Sequence, residues 1–587
     1  MSAGLTRAAL AFALAGLPLA FSARQAAVYA LPKLLVLAAA AALAWAGLAL
    51  ARRGPRRTPM DLPLAALALW TAVATALSLD PWMSLLGHYR AYFYGDLSFL
   101  LYAALFYAAA SADEGDSPQT LLSVGAGAAA LCGAYAVLQT FGIELAVGIR
   151  ELEPGKRAFS TLGSPVYLGS YLQLFVPVAL ALALDGKGAA RPLGGFCLLG
   201  LAAGLFLSIS RGAWLSAVAG AAAYLLWTRR LPAPRTKKAW AVLGLSCLLA
   251  AGGAAALASR LRPTGVSDSA RLQLWADAAR IAAAHPWAGS GPDTFEAALR
   301  RYRSLGMLRA LGQQRGQADA HNDLLQAAAT LGWPGLAAYL GVLWGLWLAV
   351  RRAAPGAGRP WAAAAASALV GLFVQAKLNP TPLAVLGAAA VLAGLLCSMG
   401  DGQKAPARAP ASAAAAALIC VLLLAGAFRL VRADYRQKRA FAMAWAGRWD
   451  EAAADFKRAQ ALNPFCLHYR FAYARQLLSE SSREADPARR ASLLDEAVSA
   501  GREALRRHPN QFDARQMLGA ALLASGLSGQ TEALTEAEAA LASAQELDPF
   551  FLPLLENRLA AARARKDAEA LRELEARRAW VRQNSGG

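Results

Sequence analysis

Cysteine and histidine are scarce in this chain of 587 residues, which contains six cysteines and five histidines. No two cysteines have the spacing of a metal-binding or redox motif, so the sequence supports neither a zinc site nor a disulfide framework. Charged residues are also few, at 17% of the chain, whereas hydrophobic residues make up 57% and the mean hydropathy is +0.35. This composition excludes an ordinary soluble protein of this size and indicates a membrane protein with many spans.

Long apolar windows that are almost free of charge recur along the first 431 residues. A helix needs about 20 such residues to cross the hydrocarbon core. The first window follows Arg7 and resembles a signal peptide, but it lacks a small-residue cleavage site and a second window follows at once, so we interpret it as a retained helix. The windows predict an all-α bundle of about thirteen spans, near residues 6–22, 30–51, 61–79, 97–111, 119–140, 166–184, 192–208, 212–228, 239–257, 323–350, 361–376, 382–399 and 411–431.

The net charge of +21 invites a nucleic-acid partner, but the basic residues do not form a binding face. They cluster in alternate loops, within residues 52–57, 229–238, 351–359 and 404–408. Short basic loops stay in the cytoplasm, and an even number of spans separates each pair of these clusters. We therefore expect a cytoplasmic N-terminus, an extracytoplasmic C-terminus and no nucleic-acid partner.

Two domains are predicted, a membrane domain at 1–432 with a large outer loop at 258–322, and a helical tail at 433–587. Three tail segments share a DEA-like stretch, small residues at helical spacing and a closing proline, at positions 464, 509 and 549. This period, somewhat longer than 34 residues, favours a tetratricopeptide-like α-solenoid with lengthened turns, whose concave surface would bind a protein partner. The alternative is a helical bundle that only caps the membrane domain.

Four arginines belong to segments on the predicted outer side, namely Arg90, Arg157, Arg211 and Arg271. Arg211 is the least ordinary, because "SISRGAWLS" joins two spans with almost no loop and places a charge at the lipid boundary. A single arginine there could simply extend its head group to water. Several arginines on a side where positive charge is depleted instead favour an anion site, and guanidinium groups bind phosphate through paired hydrogen bonds. The expected ligand is a phosphate at the lipid surface.

His321 ends the large outer loop in "QADAHNDLLQ" and has an ordinary pKa near neutrality, which suits it to accept a proton from a hydroxyl. Asn322 and Asp323 are candidates to orient His321 or the acceptor. The alternative for a histidine at a helix start is a cap or a surface residue. His88 and His285 are weaker candidates on their contexts. "GSGPD" at 289–293 lacks the spacing of a nucleotide motif and is interpreted as a turn.

Three segments occur in a fixed order: "SRGAWLS", "RLQLWADAARIAAAHPWAGSGPDTF" and "AHNDLLQAAATLGWPGL". Together they resemble the membrane domain of the O-antigen ligase and polymerase superfamily, over roughly residues 80 to 400. The resemblance implies an inverting glycosyltransferase that needs neither metal nor nucleotide-sugar donor. Such an enzyme works at the outer face of the bacterial inner membrane, with its C-terminal region in the periplasm. It takes a glycan from undecaprenyl diphosphate and passes it to an acceptor hydroxyl on a lipid or a protein.

The resemblance also implies roles for individual residues. Arg211 and Arg271 would hold the donor diphosphate, and His321 would be the base or position the acceptor. Arg90 and Arg157 correspond through looser motifs. Many members of the superfamily have an acidic residue shortly before the glycine of the "LG" turn, where this chain has Thr330. No cofactor is expected.

Three other kinds of function can be compared with the sequence. Within the superfamily, a surface polysaccharide polymerase or a protein O-oligosaccharyltransferase would use the same donor with a different acceptor, and the tail slightly favours a protein acceptor or partner. A small-solute transporter would place its charges near the membrane midplane and have matching broken helices, and neither feature is evident. An inert anchor for the tail would not need thirteen spans.

Overall fold

The computed structural model describes residues 2–112, 118–145, 157–230, 268–312, 316–356, 358–400 and 409–585. These residues form helices and connecting loops, and no strand occurs among them. The predicted ninth span and the first residues of the large outer loop, through position 267, lie outside the described residues. So do the basic residues at 235–238 and 404–408.

Sixteen helices precede the tail within the described ranges. They are α1 Ser2–Leu19, α2 Ala30–Leu50, α3 Asp61–Ala76, α4 Pro81–Leu86, α5 Asp96–Ala110, α6 Pro118–Thr140, α7 Pro165–Asp185, α8 Ala190–Ser208, α9 Arg211–Trp227, α10 Asp268–Ala284, α11 Phe295–Tyr302, α12 Leu305–Leu311, α13 Asp323–Ala353, α14 Pro360–Ala376, α15 Leu383–Ser398 and α16 Pro410–Trp445.

Twelve of the thirteen predicted spans coincide with described helices. By length and composition, α2, α6, α7, α8, α13 and α16 can each cross a membrane, and α1, α3, α5, α14 and α15 are shorter apolar helices. The chain is therefore a helical membrane protein with several spans, while the number of crossings and their orientation stay predictions.

Small residues let the apolar helices approach closely. A Cβ atom on Gly133 of α6 would lie 2.0 Å from the carbonyl oxygen of Gly200 in α8. Close backbone contact of this kind replaces the hydrophobic driving force that is absent between helices in lipid. Alanine and leucine dominate the buried core of the same bundle.

A break in α13 contacts the large loop that precedes this helix. Gly332 has φ +70° and ψ −175°, a conformation that interrupts the helix and is essentially restricted to glycine. The "GSGPD" segment is a turn, as predicted. Its Gly291 N–H donates to the carbonyl of Thr330 at 2.9 Å. Just before the turn, the carbonyl of Pro286 accepts from the N–H of Trp333 at 2.8 Å. The break thus holds the large outer loop against the N-terminal part of α13.

The tail has seven helices, and α16 leads into them without a linker. The predicted domain boundary at 432/433 lies inside α16, since neither proline nor glycine occurs from position 427 until Gly447. The tail helices are α17 Trp449–Leu462, α18 Leu467–Ser481, α19 Pro487–Arg507, α20 Phe512–Leu527, α21 Ala533–Leu547, α22 Leu552–Ala564 and α23 Ala568–Ser585.

The three prolines of the tail have equivalent places in its helix order. Pro464, Pro509 and Pro549 follow α17, α19 and α21, so the three prolines end equivalent helices. Consecutive tail helices contact each other, and α18, α20 and α22 also contact in succession. The tetratricopeptide assignment itself stays a prediction.

Each proline follows a buried polar residue, and two of these residues join the tail to the membrane domain. Asp548 accepts hydrogen bonds from the Arg303 guanidinium at 2.6 and 2.8 Å. The Nδ1 atom of His508 lies 2.8 Å from the Asp80 carboxylate, and both side chains are only 1% exposed. The tail therefore packs on the loop before α4 and on the large outer loop.

Candidate functional site

Arg211 is the first residue of α9, immediately after the tight turn that ends α8. Ile209 turns the chain with φ +46°, and Ser210 precedes the helix in an extended conformation. The Trp214 indole N–H donates to the Leu205 carbonyl at 2.6 Å, which ties the start of α9 to the end of α8. The two helices are thus connected by only two residues, and Arg211 lies at the end of the bundle where α8 ends and α9 begins.

Arg157 lies against the same turn. Its Nε atom donates to the carbonyl of Ser208, the last residue of α8, at 2.8 Å. Burial and the neighbouring charges of Arg271 and Arg211 lower the pKa of Arg157 to about 10. Arg157 thus contacts the turn before Arg211, and the charges of Arg211 and Arg271 both act on it. We call these three residues the arginine cluster.

Arg271 reaches this cluster from the first turn of α10. Its Nη2 atom lies 3.4 Å from Oδ1 of Asn379, in the loop between α14 and α15. Asn379 in turn packs against Gly212, where a Cβ atom would lie 2.2 Å from Nδ2 of the asparagine. That Nδ2 atom is buried and has no hydrogen-bond partner among the described residues. Asn379 therefore connects the starts of α9 and α10 and retains an unused donor.

His321 lies beside the arginine cluster. It precedes α13 in a left-handed conformation with φ +56°, and its backbone N–H donates to the Asp319 carboxylate. Burial and the charge of Arg271 lower the pKa of His321 to about 4. The imidazole is thus neutral near pH 7. Its Nδ1 atom is buried, and within the described part of the chain nothing hydrogen-bonds to it.

Asp319 is held in place behind His321. The Tyr94 hydroxyl donates to Asp319 at 2.7 Å and lies 3.1 Å from the Thr381 hydroxyl. Burial raises the pKa of Asp319 to about 6. Segments before α5, before α13 and before α15 therefore meet at the loop that carries His321.

The side chains of Asn322 and Asp323 contact other parts of the protein. Asn322 caps α13 and accepts hydrogen bonds from the backbone N–H groups of Leu324 and Leu325 at 3.1 and 3.2 Å. Asp323 forms an ion pair with Lys377 at 2.6 Å. Both residues fix the start of α13 and thereby position His321. Their predicted contact with a substrate stays a prediction.

Arg90 lies with the tail, whereas the other three arginines cluster at the start of α9. It is exposed, has φ +72° and sits 5.6 Å from the centroid of the Tyr89 ring. Tyr89 stacks on His468 of the tail, with ring centroids 4.0 Å apart. Thr330, at the position where an acidic residue is common, donates its hydroxyl to the Gln326 carbonyl one turn earlier at 2.7 Å.

Sequence reasoning missed Asn379, Lys377 and the pairing of Tyr94 with Asp319. One signal was available, because "KLNPTP" is a polar loop between two predicted spans on the outer side, and a lysine is unusual there. The partner of Tyr94 lies 225 residues away, and no local pattern indicates such a pair.

Residues 196–340 match the family model described as O-antigen ligase. The matched region runs from within α8 to within α13 and contains Arg211, Arg271 and His321, whereas Arg157 and Arg90 precede it. No curated protein matches the chain. The family match and the apolar helices together support a multi-pass membrane protein with a ligase-like or polymerase-like glycosyl-transfer function, acting in general on a lipid-linked glycan donor and an acceptor.

Proposed function

We propose that this protein transfers a glycan from undecaprenyl diphosphate, or a similar polyprenyl diphosphate, to an acceptor hydroxyl at the outer face of the bacterial inner membrane. The observation that carries the proposal is the cluster of Arg157, Arg211 and Arg271 around the loop of a neutral His321. On the charge pattern of the loops, we place this cluster and the tail on the periplasmic side.

The arginine cluster has the chemistry that a diphosphate leaving group requires. Planar guanidinium groups bind phosphate oxygens through paired hydrogen bonds and keep their charge. The mutual repulsion that lowers the pKa of Arg157 is relieved when an anion lies among the three groups. Arginines held before the donor arrives stabilise the charge that develops on the departing oxygen without reorganisation.

His321 supplies the proton acceptor. The acceptor oxygen forms a bond to the anomeric carbon, the bond from that carbon to the diphosphate oxygen breaks, and the hydroxyl proton passes to a nitrogen of the neutral imidazole. The polyprenyl diphosphate leaves with the bonding electrons. One displacement of this kind inverts the anomeric centre, and arginine charge takes the place that a metal ion would have.

The acceptor distinguishes the alternatives within the same chemistry. A glycolipid acceptor gives an O-antigen ligase, a growing glycan gives a polymerase, and a protein hydroxyl gives an oligosaccharyltransferase. A solute transporter is less well supported, because Arg211 starts its helix at the end of the bundle instead of interrupting it midway.

The test compares single substitutions in full-length protein expressed in a strain that makes lipid-linked glycan. We expect Arg211→Ala to lower glycan transfer by about 100-fold to 1,000-fold, as for other groups that stabilise developing charge. We expect His321→Ala to lower it by about 100-fold or more, as for other proton acceptors. Arg230→Ala is the matched control, because Arg230 pairs with Asp185 beyond the opposite end of α9 and should transfer normally.

Normal transfer by both Arg211→Ala and His321→Ala, at wild-type protein levels, would refute the proposed site. A labelling map that places Arg211 and His321 on opposite membrane faces would refute it independently. Analysis of the product identifies the acceptor as glycolipid, polysaccharide or protein.

A further inference from the structure

We propose that the groove between the tail and the outer loops binds the acceptor, and that this acceptor is a carbohydrate chain. The inference rests on the proposed function and assigns to the tail a direct part in substrate binding. The groove consists of two adjoining cavities that share Glu296, Phe471 and Asp513 in their walls. We call them the upper and the lower cavity.

The upper cavity has a volume of about 430 Å³ and lies between the loop around α4 and the tail. Its walls include His88 and Arg90 from the membrane domain and Phe465 and Arg475 from the tail. Trp82 stacks on Phe465 with ring centroids 3.8 Å apart, so this side of the groove has an aromatic floor built by both domains. Neither domain forms this cavity alone.

The lower cavity, of about 370 Å³, leads toward the candidate catalytic loop. It lies between α11 and α12 on one side and Phe471, Asp513 and Phe551 on the other. Gly316 and Gln317 also line it, and Gly316 lies against Glu296, so this part of the wall is near the junction of the two cavities. Gln317 precedes His321 by four residues, so its Cα atom lies within about 14 Å of that of His321 even with the chain fully extended. A chain lying in the groove therefore passes near the segment that carries the proposed proton acceptor.

The walls of the groove combine ring faces with hydrogen-bonding groups of both charges. Phe471 packs on one side against the tail cluster around Leu467 and Met517 and lines both cavities. Nε2 of His88 lies 3.2 Å from Glu296, whereas Nδ1 of His88 is buried with no hydrogen-bond partner in the described residues. Asp513 lies 3.4 Å from Arg300 at the junction of the cavities.

Such walls fit a carbohydrate. A pyranose has an apolar face of C–H groups that packs on aromatic rings, and a rim of hydroxyls that both donate and accept hydrogen bonds. Sites between domains with apolar walls and a few placed polar groups are common for small ligands. The walls carry the carboxylates of Glu296 and Asp513 as well as the guanidinium groups of Arg90 and Arg475. The groove therefore does not select a chain of high charge of either sign.

The tail has a second cleft, away from the outer loops. A cleft of about 700 Å³ between α19, α20 and α21 is lined by tail residues such as Asp495, Arg502 and Glu536. It includes no residue of the outer loops, so a partner bound there would not reach His321 through the groove. We therefore assign the carbohydrate to the groove between the domains.

Binding to the full-length protein in detergent micelles tests the inference. The probe is the oligosaccharide released by mild acid from the envelope glycolipid of the host strain, titrated by calorimetry. We expect Phe471→Ala and Arg475→Gln each to raise the Kd for the oligosaccharide at least tenfold. Arg475 is exposed, so its substitution does not disturb the core if Phe471→Ala misfolds. Phe550→Ala is the matched control, because Phe550 stacks on Trp580 outside the groove and should leave the Kd within twofold.

The outcomes separate this inference from the proposed function. Unchanged Kd values in both groove variants, or no binding of the oligosaccharide to the wild type, would overturn the groove assignment. An unstructured peptide that binds in its place and responds to the same variants would overturn the carbohydrate. Arg211→Ala should bind the oligosaccharide normally yet transfer poorly. Normal transfer by both Arg211→Ala and His321→Ala would instead refute the proposed site while the groove result stood.

Discussion

Replacing Asp80 with alanine should weaken the contact between the tail and the membrane domain, because this carboxylate both caps α4 and contacts two tail residues. One oxygen caps α4 by accepting from the N–H groups of Trp82 and Met83, both at 3.1 Å. The other faces Nδ1 of His508 at 2.8 Å and Nε2 of Gln511 at 3.1 Å, both on the tail. Loss of a cap costs about 1 kcal/mol. Each buried donor left without a partner costs about 1 to 3 kcal/mol. The total is about 3 to 7 kcal/mol, most of it across the interface.

Hydrogen exchange of the detergent-solubilised protein measures this loss. A destabilisation of about 3 kcal/mol corresponds to roughly a hundredfold faster exchange where opening is limiting, and we expect it in α4 and at residues 508–511. Asp486→Ala is the matched control, because Asp486 caps α19 through Ala488 and Arg489 at the surface and should cost only about 1 kcal/mol. Equal, local effects of the two substitutions would refute the reasoning and show that the contacts with His508 and Gln511 do not hold the domains together.

Two further predictions concern the site and the break in α13. Because burial and Arg271 lower the pKa of His321 to about 4, kcat/KM for the donor, which reports the free enzyme, should stay level as the pH falls until about 4. The acid limb of kcat should lie at higher pH, since a bound diphosphate raises the imidazole pKa. An acid limb near pH 6 in kcat/KM would contradict this and point to Asp319. Gly332→Ala should greatly reduce the yield of folded protein and its melting temperature, because the new Cβ atom would lie 2.1 Å from the Trp287 carbonyl oxygen in a backbone conformation that costs other residues about 1 to 3 kcal/mol or more. Gly341→Ala, in the same helix with nothing within 4 Å, is the control, and equal stability of the two variants would contradict the prediction.

Hydropathy and basic loops depend only on local composition, so the sequence could predict the apolar helices and a common membrane face for the candidate residues, and this face stays a prediction. Arg157, Arg211, Arg271 and His321 all lie in segments predicted to share the outer face, and the structure brings these segments together. Their catalytic roles stay predictions. Arg90 met the same criterion, yet it lies against Tyr89 near the tail. A shared membrane face does not determine which loops touch.

The tail shows the same division. Three of its helix ends could be predicted from Pro464, Pro509 and Pro549, which each follow a helix in the structure, while the repeat itself stays a prediction. Its docking could not be predicted, because His508 and Asp80 are 428 positions apart and each is unremarkable in its own segment. Buried polar residues before the prolines become informative only when the opposing surface is known.

Arg300 and Arg157 differ in the charges that surround them, and this difference distinguishes an ion-paired contact between domains from the proposed binding site. Burial alone would lower the pKa of Arg300, but the carboxylates of Asp513 and Asp548 raise it above its ordinary value, as expected where charges are matched to hold domains together. Arg157 is affected in the opposite way: burial lowers its pKa, and the charges that add to this effect are Arg271 and Arg211. Keeping positive charges together in a partly buried place costs free energy, and the fold keeps them beside a neutral imidazole at the end of apolar helices. Strongly shifted groups in such a setting are typical of functional sites, and a polyanion carried by a lipid is the ligand that would offset this cost.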